Sequence, residues 1–252
     1  MTKHIYCLTG AARSGKDTSA DLLKNILPDA QSFAFATTLK ETAGRAFNLD
    51  YRHLYGSLKE TEVEVNTDWE QLRYALTFPL NMILGRNPTE YELGKVVCAT
   101  QESFKIYGRK PWHWKLRPSK CDHVIITSRR ILQLWGTDII RQSLGGDTWI
   151  DITVRDISKS RCENAIITDM RFDNEAVKVK KALSSDADVL TGAAVNVPVK
   201  IILIKRDDKV TVSSHISEAG LSQKYIDHTV YNNGTIAELR VALDDYVGSK
   251  VY

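Results

Sequence analysis

No apolar run in the 252 residues approaches the ~18 residues that a membrane span needs, so a membrane partner is not expected. Cysteine is scarce. Cys7, Cys98, Cys121 and Cys162 are scattered without paired spacing, which excludes a disulfide scaffold and a cysteine-based metal site and implies reduced thiols. Neither sign of charge is in excess: 34 Lys and Arg stand against 31 Asp and Glu, for a net charge of +3. That balance gives no reason for a nucleic-acid partner, and the basic, aromatic stretch Arg109–Arg117 reads as a solvated loop. There are no repeats, no low-complexity tracts, no His/Cys/Asp metal spacing and no Ser or Cys nucleophile motif. The first residues run into a strand-like stretch without a signal-like segment, so a soluble cytoplasmic protein is expected. With 43% hydrophobic residues, the chain can build one good-sized domain, with or without an insertion.

What is present begins at residue 10. Gly10-Ala-Ala-Arg-Ser-Gly-Lys-Asp-Thr18 follows the apolar run His4–Thr9 and precedes a helical pattern of Leu22, Leu23, Ile26 and Leu27, stopped by Pro28. A strand, a glycine-rich turn and a helix N-terminus in that order form a phosphate cradle. Gly10 and Gly15 let consecutive backbone N–H groups, with those of Arg13 and Ser14, point at phosphate oxygens. Lys16 reaches the β- and γ-phosphates, and the helix dipole adds positive potential. The expected ligand is a nucleoside triphosphate. The hydroxyl usually placed directly after the Lys is displaced by Asp17 and arrives at Thr18. Thr18 is therefore the expected Mg²⁺ contact, with Asp17 acting through water or simply favouring the helix N-terminus.

Further along, strands and helices alternate. Ser32–Ala36 reads as a strand and Thr38 as the cap of a helix to about Phe47. The pattern loses clarity over 48–122, read as a largely helical insertion with Asn66–Leu84 helical. Thr127 or Ser128 then caps an amphipathic helix marked by Ile131, Leu134, Trp135, Ile139 and Leu144 and ended by Gly145-Gly146. A second helix covers about Asp147–Ser158. Asn164–Thr168, Val199–Lys205 and His228–Tyr231 read as strands, with helices over Asp173–Leu183 and Thr235–Val247. The expectation is an α/β chain: a three-layer αβα fold with a mostly parallel five-stranded sheet, which together with the phosphate loop resembles the fold of P-loop kinases. It comprises a single domain over 1–252 with an insertion at about 48–122 and a helical lid at about 127–158. Ligands bind outside the C-terminal ends of the strands.

That rule directs attention to polar residues at strand ends. Asp169 and Arg171 follow the strand at 164–168, with Asp173 and Glu175 continuing the segment. An acid there can hold Mg²⁺ through water or accept from a substrate, and an Arg can clamp a phosphate. Arg129 and Arg130 sit at the start of the helix after Thr127, placed to neutralise a transferring phosphoryl group, and Arg13 lies in the loop itself. Lys40 starts the helix after the second strand. Trp149 is either a stacking platform for a base or a core residue, because its spacing with Ile150 and Ile152 fits both.

These residues resemble the deoxynucleoside monophosphate kinases of tailed bacteriophages. The resemblance rests on Gly10-x-x-Arg13-Ser-Gly-Lys16-Asp17-Thr18, on Lys40, on Arg129-Arg130 with Leu-x-x-x-Gly136-Thr-Asp138, and on Asp169-x-Arg171 with Glu175. Ser214-His215-Ile-Ser-Glu218-Ala-Gly220 and Asn233-Gly234-Thr-x-x-Glu238-Leu complete it. It implies ATP and Mg²⁺ as donor and a deoxynucleoside monophosphate as acceptor, in host cytoplasm. Lys16, Arg13, Arg130, Asp169 and Arg171 are the expected catalytic residues. Lys40, Arg129, Arg130, Trp149, Asp169, Arg171 and Glu175 are the expected acceptor contacts. A homodimer is left open, as is base preference. Two other readings stand beside it. A P-loop kinase for a non-nucleotide phosphorylated metabolite would want a Lys-rich acceptor pocket without aromatics. A nucleotide-switched binding module would want Asn-Lys-x-Asp, which is absent, and the sole Asp-x-x-Gly, at Asp245, ends the last helix.

Overall fold

A computed structural model describes residues 4–11, 13–111, 122–184, 198–207 and 221–248. Its contacts divide the chain into two compact units, Met1–Phe35 with Thr153–Tyr252, and Ala36–Ile152. The expected lid at 127–158 therefore straddles the boundary between them. His215 and Glu218 lie outside the described residues.

The first unit is built on five strands: β1 (His4–Thr9), β2 (Ala30–Phe33), β5 (Asn164–Ile167), β6 (Val199–Lys205) and β7 (His228–Tyr231). They pair in the order β2-β5-β1-β6-β7, and every pairing is parallel. β1 lies in the middle, Cys7 beside Ile167 on one side and Ile201 on the other. Its inner residues are all apolar because both faces of a parallel sheet are covered. Side chains alternate between those faces. Tyr6, Leu8, Ile166, Ile202 and Ile204 pack with Leu23 and Leu27 of α1 (Lys16–Ile26) and its C-cap, and with Leu239, Leu243 and Tyr246 of α10 (Ile236–Gly248). The opposite face carries Cys7, whose thiol burial pushes well above its ordinary range and which senses Glu175 and Lys180 of α9 (Asp173–Ser184). This three-layer α/β arrangement is consistent with the fold expected from the sequence.

The second strand ends earlier than the sequence pattern predicts, and α2 (Phe35–Phe47) begins before Thr38. The cause is a cap supplied from far along the chain: Asp169 Oδ1 accepts the Phe35 N–H at 2.9 Å.

The second unit holds the remainder of α2, α3 (Tyr51–Leu54), a 3₁₀ turn at Ser57–Glu60, β3 (Glu62–Asn66), α4 (Trp69–Leu84), α5 (Glu90–Tyr107) and β4 (His123–Thr127). α6 (Ser128–Gln133), a π-helical turn at Leu134–Ile139, α7 (Ile140–Leu144) and the first residues of α8 (Thr148–Lys159) follow. β3 and β4 pair antiparallel, and Arg109 bridges to Ile125 beside them. Phe47 meets Phe104 and the edge of Trp135 at ring distances of 5.1 and 5.4 Å, an arrangement aromatic quadrupoles favour. The predicted continuous helix over 127–144 is thus interrupted. Thr127 does cap it, accepting from Arg130 N–H, and Gly145 ends it at φ 130°. The π turn brings Gly136 against Leu39, whose Cδ1 would lie 2.5 Å from any Cβ there. It also leaves the Gly136 carbonyl to accept from the Trp149 indole N–H at 2.9 Å. No helix among the described residues is long and apolar enough to cross a membrane.

Candidate active site

β1 delivers the chain to the glycine-rich loop, and α1 starts where the loop ends. Gly10 stands at φ 143° and Gly15, the residue capping α1, at φ 99°, a region L side chains avoid. Space is as restrictive as torsion. A Cβ on Gly10 would meet the Ile204 carbonyl at 2.3 Å and Ser14 Oγ at 2.9 Å, and one on Gly15 would meet Asn232 Nδ2 at 2.3 Å. Arg13 also takes a positive φ, 61°, so the loop is curled through three left-handed residues.

Lys16 is half-buried, and its Nζ donates to the carbonyls of Gly10 at 2.8 Å and Ala11 at 2.6 Å. Burial first, and then the nearby Arg171 cation, push its pKa below the usual lysine range; Asp17 and Asp169 push the other way. Cations that raise one another's cost in this way are eased by a bound anion. The Ser14 hydroxyl is buried and makes no hydrogen bond among the described residues, while its carbonyl accepts from Asn232 Nδ2 at 2.8 Å. Glycines that no Cβ could replace, an orphaned hydroxyl and a half-buried Lys fit the phosphate cradle read from the sequence.

The loop opens into a cavity of 410 Å³ lined by Arg13, Gly15, Lys16, Asp17 and Thr18 on one side and Arg206, Asn232, Gly234, Ile236 and Leu239 on the other. Asp17 and Thr18, the expected metal contacts, both reach it. No group of three His, Cys, Asp or Glu among the described residues could hold a metal alone, so an ion beside Thr18 would complete its shell with phosphate oxygens and water.

Asp169 and Arg171 leave the end of β5 as the sequence predicts. Met170 N–H donates to the Leu8 carbonyl at 3.2 Å, tying this segment to the end of β1. Asp169 has one oxygen on the α2 N-terminus, and Arg171 is exposed. Glu175, read as an acceptor contact, is 4% exposed, and its Oε2 accepts from the Arg171 and Phe172 N–H groups at 2.7 and 3.0 Å. It holds the turn that presents Arg171.

The remaining sequence-selected residues belong to the second unit. Lys40 Nζ lies 4.2 Å from the centre of the Tyr55 ring. Arg129 pairs with Glu60 at 2.9 Å, and the Arg130 guanidinium lies 4.7 Å from the Tyr107 ring centre. Trp149 is 2% exposed with its N–H on the Gly136 carbonyl, so the stacking-platform reading gives way to the core reading. Sequence reasoning missed Arg206 and Asn232. Arg206 follows β6 directly, and the strand-end rule that selected Asp169 and Arg171 would have found it. Asn232 was visible only as part of an Asn-Asn-Gly turn.

Residues 119–243 match the model of a family described as deoxynucleotide monophosphate kinase. The similarity is to the deoxynucleotide monophosphate kinases. A deoxynucleoside-5'-monophosphate kinase of Escherichia phage T5 is 36% identical over 110 residues, which is 43% of this chain. The chain spans 40% of that relative's length. The family match contains Arg129, Arg130, Asp169, Arg171, Arg206 and Asn232, whereas the phosphate loop and Lys40 lie before it.

Proposed function

We propose that this protein transfers the γ-phosphoryl group of ATP to a deoxynucleoside monophosphate, giving the diphosphate. The observation that carries the reading is the curled loop at the end of β1, with Lys16 bound to its carbonyls and Arg171 close enough to lower the Lys16 pKa. The deoxynucleotide kinase match over 119–243 supports the nature of the acceptor.

The chemistry needs little more than this. The acceptor is a phosphate whose second pKa is about 6, so it is largely ionised near neutral pH and requires no strong general base. The task is to hold two anions in line and offset their repulsion. In our assignment Gly10, Arg13, Ser14, Gly15 and Lys16 hold the triphosphate, while Thr18, with Asp17 through water, holds Mg²⁺, which would neutralise phosphate charge. Asp169 and Arg171 serve the acceptor side of the transfer, with Glu175 holding the turn that presents Arg171. Lys40, Arg129 and Arg130 are assigned to the acceptor. The helical stretch 127–158 is the proposed lid, with Gly145-Gly146 as its hinge.

The test is ADP formation from ATP across ribo- and deoxynucleoside monophosphates and phosphorylated sugars. Turnover that depends on a deoxynucleotide is the expected result. Equal rates on non-nucleotide phosphates, or hydrolysis indifferent to any acceptor, would refute the assignment.

A further inference from the structure

Two tyrosines of the second unit present their rings to solvent in an ordered way. Tyr51, the first residue of α3, is 73% exposed, and Tyr55, one turn later, is 37% exposed. Leaving two aromatic rings out of a core forgoes a large burial gain. The rings nevertheless stack, centroids 4.9 Å apart and planes 25° from parallel, with Lys40 Nζ 4.2 Å from the Tyr55 centroid. The backbone beneath them is fixed at both ends. Asp50 accepts from the Arg52 and His53 N–H groups at 2.9 and 3.1 Å and is bonded by the His53 ring, a capping box that starts α3. The Tyr55 N–H closes the turn on the Tyr51 carbonyl at 2.8 Å. α3 also packs on α6, the helix of Arg129 and Arg130.

A pre-ordered, outward-facing aromatic stack bordered by a Lys suits a flat, electron-rich ring carried by an anion. A nucleotide has both parts. Stacking reads the face of a base and not its edge, so such a platform accepts more than one base. Tyr51, Tyr55 and Lys40 all precede the 119–243 family match, in or beside the stretch whose purpose the sequence pattern leaves open. We infer that the Tyr51–Tyr55 stack is the platform for the base of the acceptor nucleotide, with Lys40 the adjacent cation for its phosphate. This rests on the proposed nucleotide acceptor.

Two measurements test it. First, the full-length protein is irradiated with 5-iodo-deoxyuridine monophosphate in the absence of ATP and the modified peptide is sequenced. Attachment at Tyr51 or Tyr55 is expected, and attachment confined to other residues overturns the inference whether or not the protein turns over. Second, Tyr51→Ala and Tyr51→Phe are compared with wild type for deoxynucleotide KM, ATP KM and inhibition by base-free 2-deoxyribose 5-phosphate. Tyr51→Ala should raise the deoxynucleotide KM about 5- to 100-fold, the range seen when a stacking aromatic is removed, and Tyr51→Phe should restore it. ATP KM and the sugar phosphate's inhibition constant should not move. Unchanged deoxynucleotide KM, or equal weakening of the base-free ligand, overturns the platform. Failure of the nucleotide-kinase reading is distinguished by wild-type protein that phosphorylates no deoxynucleotide.

Discussion

Replacing Lys16 by Ala separates the fold's need for this side chain from the reaction's need for it. Its ammonium makes two hydrogen bonds, to Gly10 and Ala11 carbonyls, and bonds to a charged group contribute at most about 1.5–3 kcal/mol each. Two effects oppose that gain. Both carbonyls belong to half-exposed residues, where water replaces the ammonium, and burial with Arg171 already disfavours the cation. The expected net change is about 1 kcal/mol, a melting shift of about 2–4 °C for a chain of this size. The transition state loses far more, because a preorganised charge aimed at developing negative charge is worth about 2.7–4 kcal/mol, or 10²–10³ in kcat. The sign with pH follows from the lowered pKa. Between that pKa and the unfolded value near 10.5 the unfolded chain binds more protons, so wild type gains stability relative to the Ala variant as pH rises through that interval. Nucleotide-free thermal melts paired with single-turnover transfer from radiolabelled ATP give both numbers. A variant that keeps more than a tenth of wild-type transfer would refute the role of Lys16 and with it the phosphate-loop reading.

Gly10→Ala should cost both stability and ATP binding, about 2–6 kcal/mol combining a glycine-only torsion with a clash on the Ile204 carbonyl; a melting temperature within 2 °C of wild type would contradict that. Arg171→Ile should raise acceptor KM or lower kcat well beyond any change in ATP affinity by calorimetry; equal damage to both substrates would place Arg171 on the donor. Trp149→Ala should destabilise by about 3–5 kcal/mol in denaturant melts and leave the ratio of deoxy- to ribonucleotide kcat/KM unchanged, since the ring is core. Glu92 is held at about 2 by Arg86 and the Thr89 cap, so its contribution is complete above the ordinary carboxylate range and fades as pH falls through about 2. Glu92→Gln should therefore flatten the acid limb of the stability curve in pH-jump melts.

The sheet and the phosphate loop were legible because their signals are local. Val199–Lys205 and His228–Tyr231 are strands at the predicted limits, and the two glycines sit where only glycine fits. The second unit was harder for physical reasons. β3 and β4 pair across more than fifty intervening residues, and nothing near Glu62–Asn66 announces its partner, although its alternation was readable. α5 did carry a signature, the Thr89-x-x-Glu92 capping box, which went unread. Trp149 shows the limit of periodicity. A core ring and a ligand platform share one helical spacing, and only the Gly136 carbonyl opposite the indole N–H decides between them.

The position of β1 has a consequence for how the chain comes to life. Its two neighbours, β5 and β6, begin at residues 164 and 199, so the strand that feeds the phosphate loop has no partner while most of the chain is being made. At about 5–20 residues per second, some 8–30 s of synthesis pass before β5 emerges. Over that interval Ile5, Cys7 and Leu8, wholly buried in the finished sheet, are exposed apolar groups on a nascent chain. Residues 36–152 are complete earlier and make their own core, so they can collapse first. The glycine-rich loop is translated well before the strands that flank β1 and is assembled only after they emerge, which makes His4–Thr9 a segment in particular need of a ribosome-bound chaperone.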